Sequence, residues 1–468
     1  MRTTLLLLVL LLLKNSASAC TIVSGTDRKG QTWAMNNEDF FHTASNYVNV
    51  FPAKDKNTLG YITLTYGSPE SSMQGGVNEA GVFFDINALP PPQTYKLRAG
   101  KKPFPHGNML EYMLQHCKTV PQFLALWDTY YLPDMGNVQI HIADKYGNLA
   151  VIAPDTILRA TRQLTSTNFN VCASGPAKQS CWRYPIAQQV LAKEGISQAS
   201  LVRIAAATSQ REFTTSVYTN IHNLSTGEIW FYLAEEYQTP WHTSVSALLK
   251  HGQRHLLLAR QFPQNASQRL ARVLNTQGTP EAVSRFLQEG QFSAREKESQ
   301  LRMAFLDNFY IEKDFAKATL LFPLWEQYMH TNTRLDSTEV RFTKAEVLAV
   351  NGKNKEAMQV LEAATKPSWK TDALLANLRD AEEANAVIDL SGYVAARAVV
   401  VEIRGEYDFL RFMQKTPTGW RLRLKSNRPA LTYCFYVDGK RVVTPTHPIV
   451  EKQETAKGDF ASFNTLTL

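Results

Sequence analysis

Beyond its first residues the chain has no apolar run long enough to cross a bilayer, which leaves no candidate for a spanning helix. It also lacks a stretch in which Lys and Arg interleave with aromatics. Its 50 basic and 42 acidic residues leave a scattered excess of +8, and no nucleic-acid partner is expected. Histidines and cysteines do not recur at metal-ligand spacing, and no glycine loop follows a strand to cradle phosphate. Neither a metal nor a cofactor is expected.

What the first residues do contain is a leader. Arg2 supplies the positive start, Leu5 to Leu13 the apolar run, and Ala17-Ser18-Ala19 the small-residue pattern of a signal-peptidase site. Residues 1–19 therefore read as a signal peptide, the chain as exported, and Cys20 as the new amino terminus. Two kinds of chemistry want a cysteine there, lipidation and nucleophilic catalysis. Lys14 and Asn15 form a polar spacer, and Ala17 stands where a lipidation box carries Leu, Val or Ile, so cleavage without lipidation is the expectation. Lipoprotein anchoring through Cys20 is the alternative. Cysteine is otherwise scarce: the total is five, an odd number that makes Cys20 the natural unpaired thiol. Cys172 and Cys181 are close enough in sequence to close a small disulfide loop. Cys117 and Cys434 read as buried, inert residues of a helix and a strand.

From residue 20 to about 250, strand signals alternate with helix pairs. "CTIVSGTD", "TWAMNNEDF", "YVNVFPA", "GYITLTY" and "GVFFDINAL" predict strands, and "GNMLEYMLQHC" and "VPQFLALWDTYY" a helix pair. After a hairpin across "KYG" a second pair follows at "RYPIAQQVLAKE" and "QASLVRIAAAT". Sheets separated by two helix pairs predict an α+β domain of four layers, αββα.

The chemistry of an amino-terminal cysteine follows from elementary acidity. A thiol with pKa about 8.5 is partly ionised at neutral pH, and an α-amine near about 8 is a better proton acceptor than a lysine would be at that pH. On one residue the amine can take the thiol proton and later deliver it to a leaving nitrogen. "CTIVSG", "MNNEDF", "GGVNEAGVFFDINALP" and "LTSTNF" resemble the successive motifs of the choloylglycine hydrolase and linear amide hydrolase group of N-terminal nucleophile hydrolases. That group includes bile-salt hydrolases, penicillin V acylases and, more distantly, isopenicillin-N acyltransferases. The resemblance implies that Cys20 is the nucleophile, that Asp39 orients its amine, and that Asn87 and Asn168 frame the oxyanion pocket. It also marks a departure, because the bile-salt branch carries Arg where this chain has Asn36. Gly75 and Gly76, ahead of a strand, suggest either close backbone approach near the site or a plain turn. Arg183 and Tyr184 open a helix as a similar pair does in the group, a pair that usually braces the fold.

Residues 265–385 predict a helical spacer, in which "AEVLAVNGKNKEAMQVLEAATK" resembles one tetratricopeptide unit and offers a surface for a protein partner. Residues 386–468 turn to strands and resemble the immunoglobulin-like glycogen-recognition modules, a β-sandwich. Leu410 occupies the position of the sugar-stacking tryptophan, so an adaptor role is expected there rather than carbohydrate binding. The expected activity is hydrolysis of a linear, non-peptide amide of a small N-acyl substrate through an acyl-thioester. Acyl transfer to an amine, and a lipid-anchored binding protein built on a retired enzyme, are the alternatives.

Overall fold

The computed structural model describes residues 20–468 except 41–44, 91–100, 132–136, 154–155, 173–180, 212–214, 333–336, 364–367, 380–383, 405–408, 427, 445–446, 455–459 and 468. The leader, residues 1–19, lies outside the described residues. The chain forms two compact units. One comprises the chain to Phe40, Asn46–Gln210 and Ser216–Gln261, and the other Phe41–Ser45, Arg211–Thr215 and Phe262–Leu468.

In the first unit the strands are β1 (Thr21–Thr26), β2 (Thr32–Phe40), β3 (Asn46–Phe51), β4 (Tyr61–Tyr66), β5 (Gly75–Asn78) and β6 (Val82–Ala88). A short parallel ribbon of β7 (Lys102–Pro103) and β8 (Tyr130–Tyr131) precedes β9 (Val138–Asp144), β10 (Leu149–Ile152), β11 (Ile157–Ala160) and β12 (Gln163–Ser166). The last four are β13 (Thr215–Asn223), β14 (Glu228–Leu233), β15 (Trp241–Ser244) and β16 (Arg254–Leu257). They form a six-stranded sheet, β12-β1-β2-β13-β14-β15, and an eight-stranded one, β11-β10-β9-β6-β5-β4-β3-β16. β16 carries the unit past residue 250.

Each helix pair forms where its apolar spacing predicts it. α1 (Met109–His116) starts at Asn108, whose side chain accepts from Leu110 and Glu111 amides, and α2 (Val120–Thr129) starts at Thr119. Their buried faces, including Met113, Leu114 and Phe123, pack on Phe84, Ile140 and Ile142 of the eight-stranded sheet. α3 (Arg183–Glu194) and α4 (Gln198–Thr208), the latter with a Ser197–Ser200 capping box, cover the six-stranded sheet through Ala187, Leu191, Leu201 and Ile204 against Val23, Trp33 and Met35. Between the sheets His141 of β9 joins Ser24 of β1 (2.7 Å) and Ser166 of β12 (2.9 Å). The layers therefore run helix, sheet, sheet, helix.

The second unit begins with seven α-helices among the described residues: α5 (Val245–Leu249) closes the first unit, and α6 (Ala266–Thr276), α7 (Pro280–Glu289), α8 (Ala294–Leu306), α9 (Phe315–Glu326), α10 (Ser337–Val350), α11 (Asn354–Glu362) and α12 (Trp369–Leu378) follow. α10 and α11 are the pair expected around the Gly352 turn, where φ is +74°. From Ala386 on, antiparallel sheets include β17 (Ala386–Ser391), β18 (Val399–Ile403), β19 (Arg411–Phe412), β20 (Gln414–Thr416), β21 (Gly419–Leu424) and β22 (Ala430–Val437), with β21 central in the order β17-β21-β20 and β22 next to β18 in the larger sheet. Helices and strands share one core: Val400, Phe409, Leu410 and Phe412 pack among Phe305, Phe342 and Leu374. Leu410 is fully buried, which removes it from any sugar-stacking surface.

Candidate active site

Cys20 stands at the head of β1 and is 3% exposed. β1 and β2 pair with Thr21 opposite Asn37 and Ile22 opposite Asn36, which brings Glu38 level with Cys20. Strand side chains alternate, so the segment Asn36–Asp39 is divided between two faces. Asn37 and Asp39 turn to the helix layer. Asn37 donates to Ala205 O (2.9 Å) and Thr208 Oγ1 (3.2 Å) of α4 and accepts from Thr219 Oγ1 (2.6 Å). Asp39 accepts from Arg183 Nη1 (3.3 Å) and from Ser216 Oγ.

Asn36 and Glu38 face the space between the sheets. Asn36 Nδ2 donates to Glu38 Oε2 at 3.0 Å, and Cys20 and Tyr218 stand close enough to the same carboxyl to hold its pKa down. Across from them Asp85 of β6 faces the same interior, its Oδ1 accepting from the Ile86 amide at 2.9 Å. Gly75 lies directly over Asp85 Oδ2, where any β-carbon would collide. At Gly76 a β-carbon would come within 2.7 Å of Ile62 O and 2.9 Å of Leu114 Cδ1. The two glycines are thus sites of close approach, one beside the acid cluster and one under α1.

Asn87, two residues after Asp85 on the same face, donates from Nδ2 to Cys20 O at 3.2 Å. Asn168, just past β12, donates to Ala88 O (2.8 Å) and accepts from Arg183 Nη2 (2.7 Å). Arg183 also reaches Cys20 O (2.9 Å) and Thr21 Oγ1 (3.2 Å) through Nη1. Residues 20, 39 and 168, far apart in sequence, therefore meet around one guanidinium, and residue 87 joins them through the Cys20 carbonyl. Arg183 is the member whose role the sequence did not disclose: its place at a helix start was legible, its reach to four partners was not. Glu38 and Asp85 were missed as well. Their signal was present, a carboxylate on the same strand face as Cys20 and another two positions before Asn87.

Burial pushes the Cys20 thiol well above its ordinary pKa, and the negative groups Glu38, Asp39 and Asp85 push it further, against a hydrogen bond from the Asp39 backbone. Glu38 is raised to about 7 by burial, with Asn36, Cys20 and Tyr218 holding it back. Burial also raises Asp39, opposed by Arg183 and Ser216, and raises Asp85, reinforced by Glu38. The site is a thiol among acids, with its positive charge on the helix side.

Cys172 and Cys181, whose pairing the sequence leaves open, are not bridged. The Cys181 sulfur instead accepts from Thr167 Oγ1 at 3.1 Å, tying it to the end of β12. Cys117 and Cys434 are buried as expected. Among the described residues no group of His, Cys, Asp and Glu is arranged to hold a metal.

Residues 26–226 match the family model of acyl-coenzyme A:6-aminopenicillanic acid acyl-transferase. The match begins beyond Cys20 and spans Asp39, Asn87, Asn168 and Arg183, and it supports an N-terminal nucleophile type of domain for this part of the chain. No curated protein matches the chain. Solved structures similar to it include a variant of conjugated bile acid hydrolase from Clostridium perfringens, 12% identical over 51% of this chain and 96% of that one, with a TM-score of 0.39. Penicillin V acylase from Agrobacterium tumefaciens is 12% identical over 50% of this chain and 90% of that one, with a TM-score of 0.36.

Proposed function

We propose that the protein is an exported amino-terminal cysteine amidohydrolase, switched on when its leader is removed, that cleaves a linear amide of a small N-acyl substrate. One observation carries the reading: Cys20, Asp39 and Asn168 converge on Arg183 in a four-layer domain, and Asn87 donates to the same Cys20 carbonyl that Arg183 holds. The Cys20 sulfur attacks the amide carbonyl, the oxygen takes up the displaced electron pair, and the C–N bond breaks to leave an acyl-thioester that water then hydrolyses. Asn87 and Asn168 supply N–H groups at the pocket, and loss of one such donor typically costs about 3 kcal/mol of barrier. Arg183 and Asp39 hold the Cys20 backbone in place for the attack. Burial of Cys20 between the sheets supports this reading over a lipid anchor, whose cysteine must stand clear of the fold.

A second reading is acyl transfer, favoured by the family whose model matches residues 26–226. It uses the same thioester and replaces water with an amine. The test begins with the intact mass of the mature amino terminus, followed by incubation with a panel of N-acyl p-nitroanilides. An unmodified Cys20 terminus and an acyl adduct on Cys20, absent from Cys20→Ala, are expected. Added 6-aminopenicillanic acid or glycine amide separates hydrolysis from transfer by the product formed. A diacylglyceryl mass on Cys20, or no adduct with any member of the panel, overturns the proposal.

A further inference from the structure

The geometry points to Glu38 as a catalytic residue of this site, the acceptor of the Cys20 thiol proton. The inference rests on Cys20 being the nucleophile and goes beyond it, because the α-amine of Cys20 was the expected base. Three observations carry it. The β1–β2 register sets Glu38 level with Cys20, and side chains directly opposite each other leave an antiparallel pair on the same face, which stands the carboxyl beside the thiol. Glu38 is 1% exposed, so water does not compete for the proton. Asn36 Nδ2, at 3.0 Å from Oε2, orients the carboxylate without neutralising it, as an arginine at that position would.

The groups facing Glu38 are Cys20 from β1, Asn36 on its own strand, Asp85 from β6 and Tyr218 from β13. The cation of the site, Arg183, engages Asp39 on the other face of the strand. Glu38 is therefore poised between its two protonation states near neutrality, as a proton acceptor at that pH should be. In the step proposed, the S–H bond breaks and its proton goes to Glu38 Oε while the S–C bond forms at the carbonyl. As the C–N bond breaks, Glu38 returns that proton to the leaving nitrogen and is again a carboxylate. The departure at Asn36 and the acid at 38 then belong together: the site deprotonates its thiol with a neighbouring base rather than stabilising a thiolate with a fixed cation.

The experiment uses the full mature chain beginning at Cys20 and measures iodoacetamide alkylation of the Cys20 peptide by mass spectrometry between pH 5 and 9. The wild-type rate is expected to show a step near pH 7 below the thiol's own rise. Glu38→Gln should lose the step, Glu38→Asp should keep one, and Asn36→Arg should move it to lower pH. With a turned-over amide, Glu38→Gln should cost at least about a hundredfold in kcat. A step that survives in Glu38→Gln, or that Asn36→Arg leaves in place, overturns the assignment. Failure of the amidohydrolase reading looks different: the step is present in the wild type, and no amide of the panel acylates Cys20.

Discussion

At the scale of single residues, the site depends on charges placed where water cannot reach them. Arg183 and Asp39 are 5% and 0% exposed in their side chains, and removing one partner of such a pair typically costs about 3–5 kcal/mol. Arg183→Met should therefore lower stability in urea by that order, whereas Arg183→Lys should keep the charge and lose the simultaneous reach to Cys20 O and Asn168. Denaturation of both variants, with Cys20 alkylation as a readout of the site, separates the two effects. Glu38 has the opposite sign. Its folded-state pKa is raised from 4.5 to about 7, so the folded protein binds the extra proton between those values and stability falls as pH rises through them. Glu38→Gln removes this penalty. Its Tm should exceed that of the wild type at pH 8 and match it near pH 4.5, at the expense of activity.

At the scale of elements, alternation along β2 is the decisive device. One motif serves two layers because successive side chains point to opposite faces, Asn37 and Asp39 toward α3 and α4, Asn36 and Glu38 toward the other sheet. The expected strand and helix pairs of the first unit were legible from apolar spacing and capping residues, down to the limits Arg183–Glu194 and Gln198–Thr208. Which strand faces met was not legible, since β1 pairs with β12 across more than a hundred residues and β6 with β9 across fifty or so. Gly76 marks how close the layers come: Gly76→Ala should lower Tm through contact with Ile62 O, in the range of about 1–3 kcal/mol. The inter-sheet clamp at His141 adds a pH term. Burial lowers its pKa from 6.5 to about 3, so the folded state keeps it neutral, and its contribution is full above pH 6.5 and lost as pH falls toward 3. His141→Gln should make the acid slope of unfolding free energy shallower by about 1.4 kcal/mol per pH unit in that window.

At the scale of the whole molecule, the second unit joins two stretches that composition presents as separate. Lys313, held at φ +57°, ion-pairs with Glu402 of β18, and both side chains are buried. Tyr310 bonds to Glu346, whose other oxygen accepts from the Leu410 amide at 3.4 Å. Apolar packing continues across the same boundary through Phe342 and Phe409, whose ring centroids lie 5.6 Å apart. Lys313→Met should destabilise by about 3–5 kcal/mol because Glu402 is left buried without its partner, and Lys313→Met/Glu402→Leu should recover most of the loss. Urea titration of the single and double variants checks this. A chain ending at residue 385 should lose the cooperative melting of its helices, since their core is completed by residues of the strands.

The amino-acid sequence by itself determined the elements and the candidate nucleophile, because hydrophobic period, caps and an expected leader cut before Cys20 are local signals; its companions Asp39, Asn87 and Asn168 came from the resemblance to a known group's motifs. Tertiary structure decided what surrounds the sulfur. Arg183, Glu38 and Asp85 acquire their roles from strand register and burial, and the same carboxylate that would be an ordinary surface acid becomes a base near neutrality only after water is excluded from it. It also decided that Cys172 and Cys181 stay unbridged and that helices and terminal strands share one core. Proximity in the chain is a weak guide to both, because covalent geometry and apolar packing are settled by three-dimensional distance.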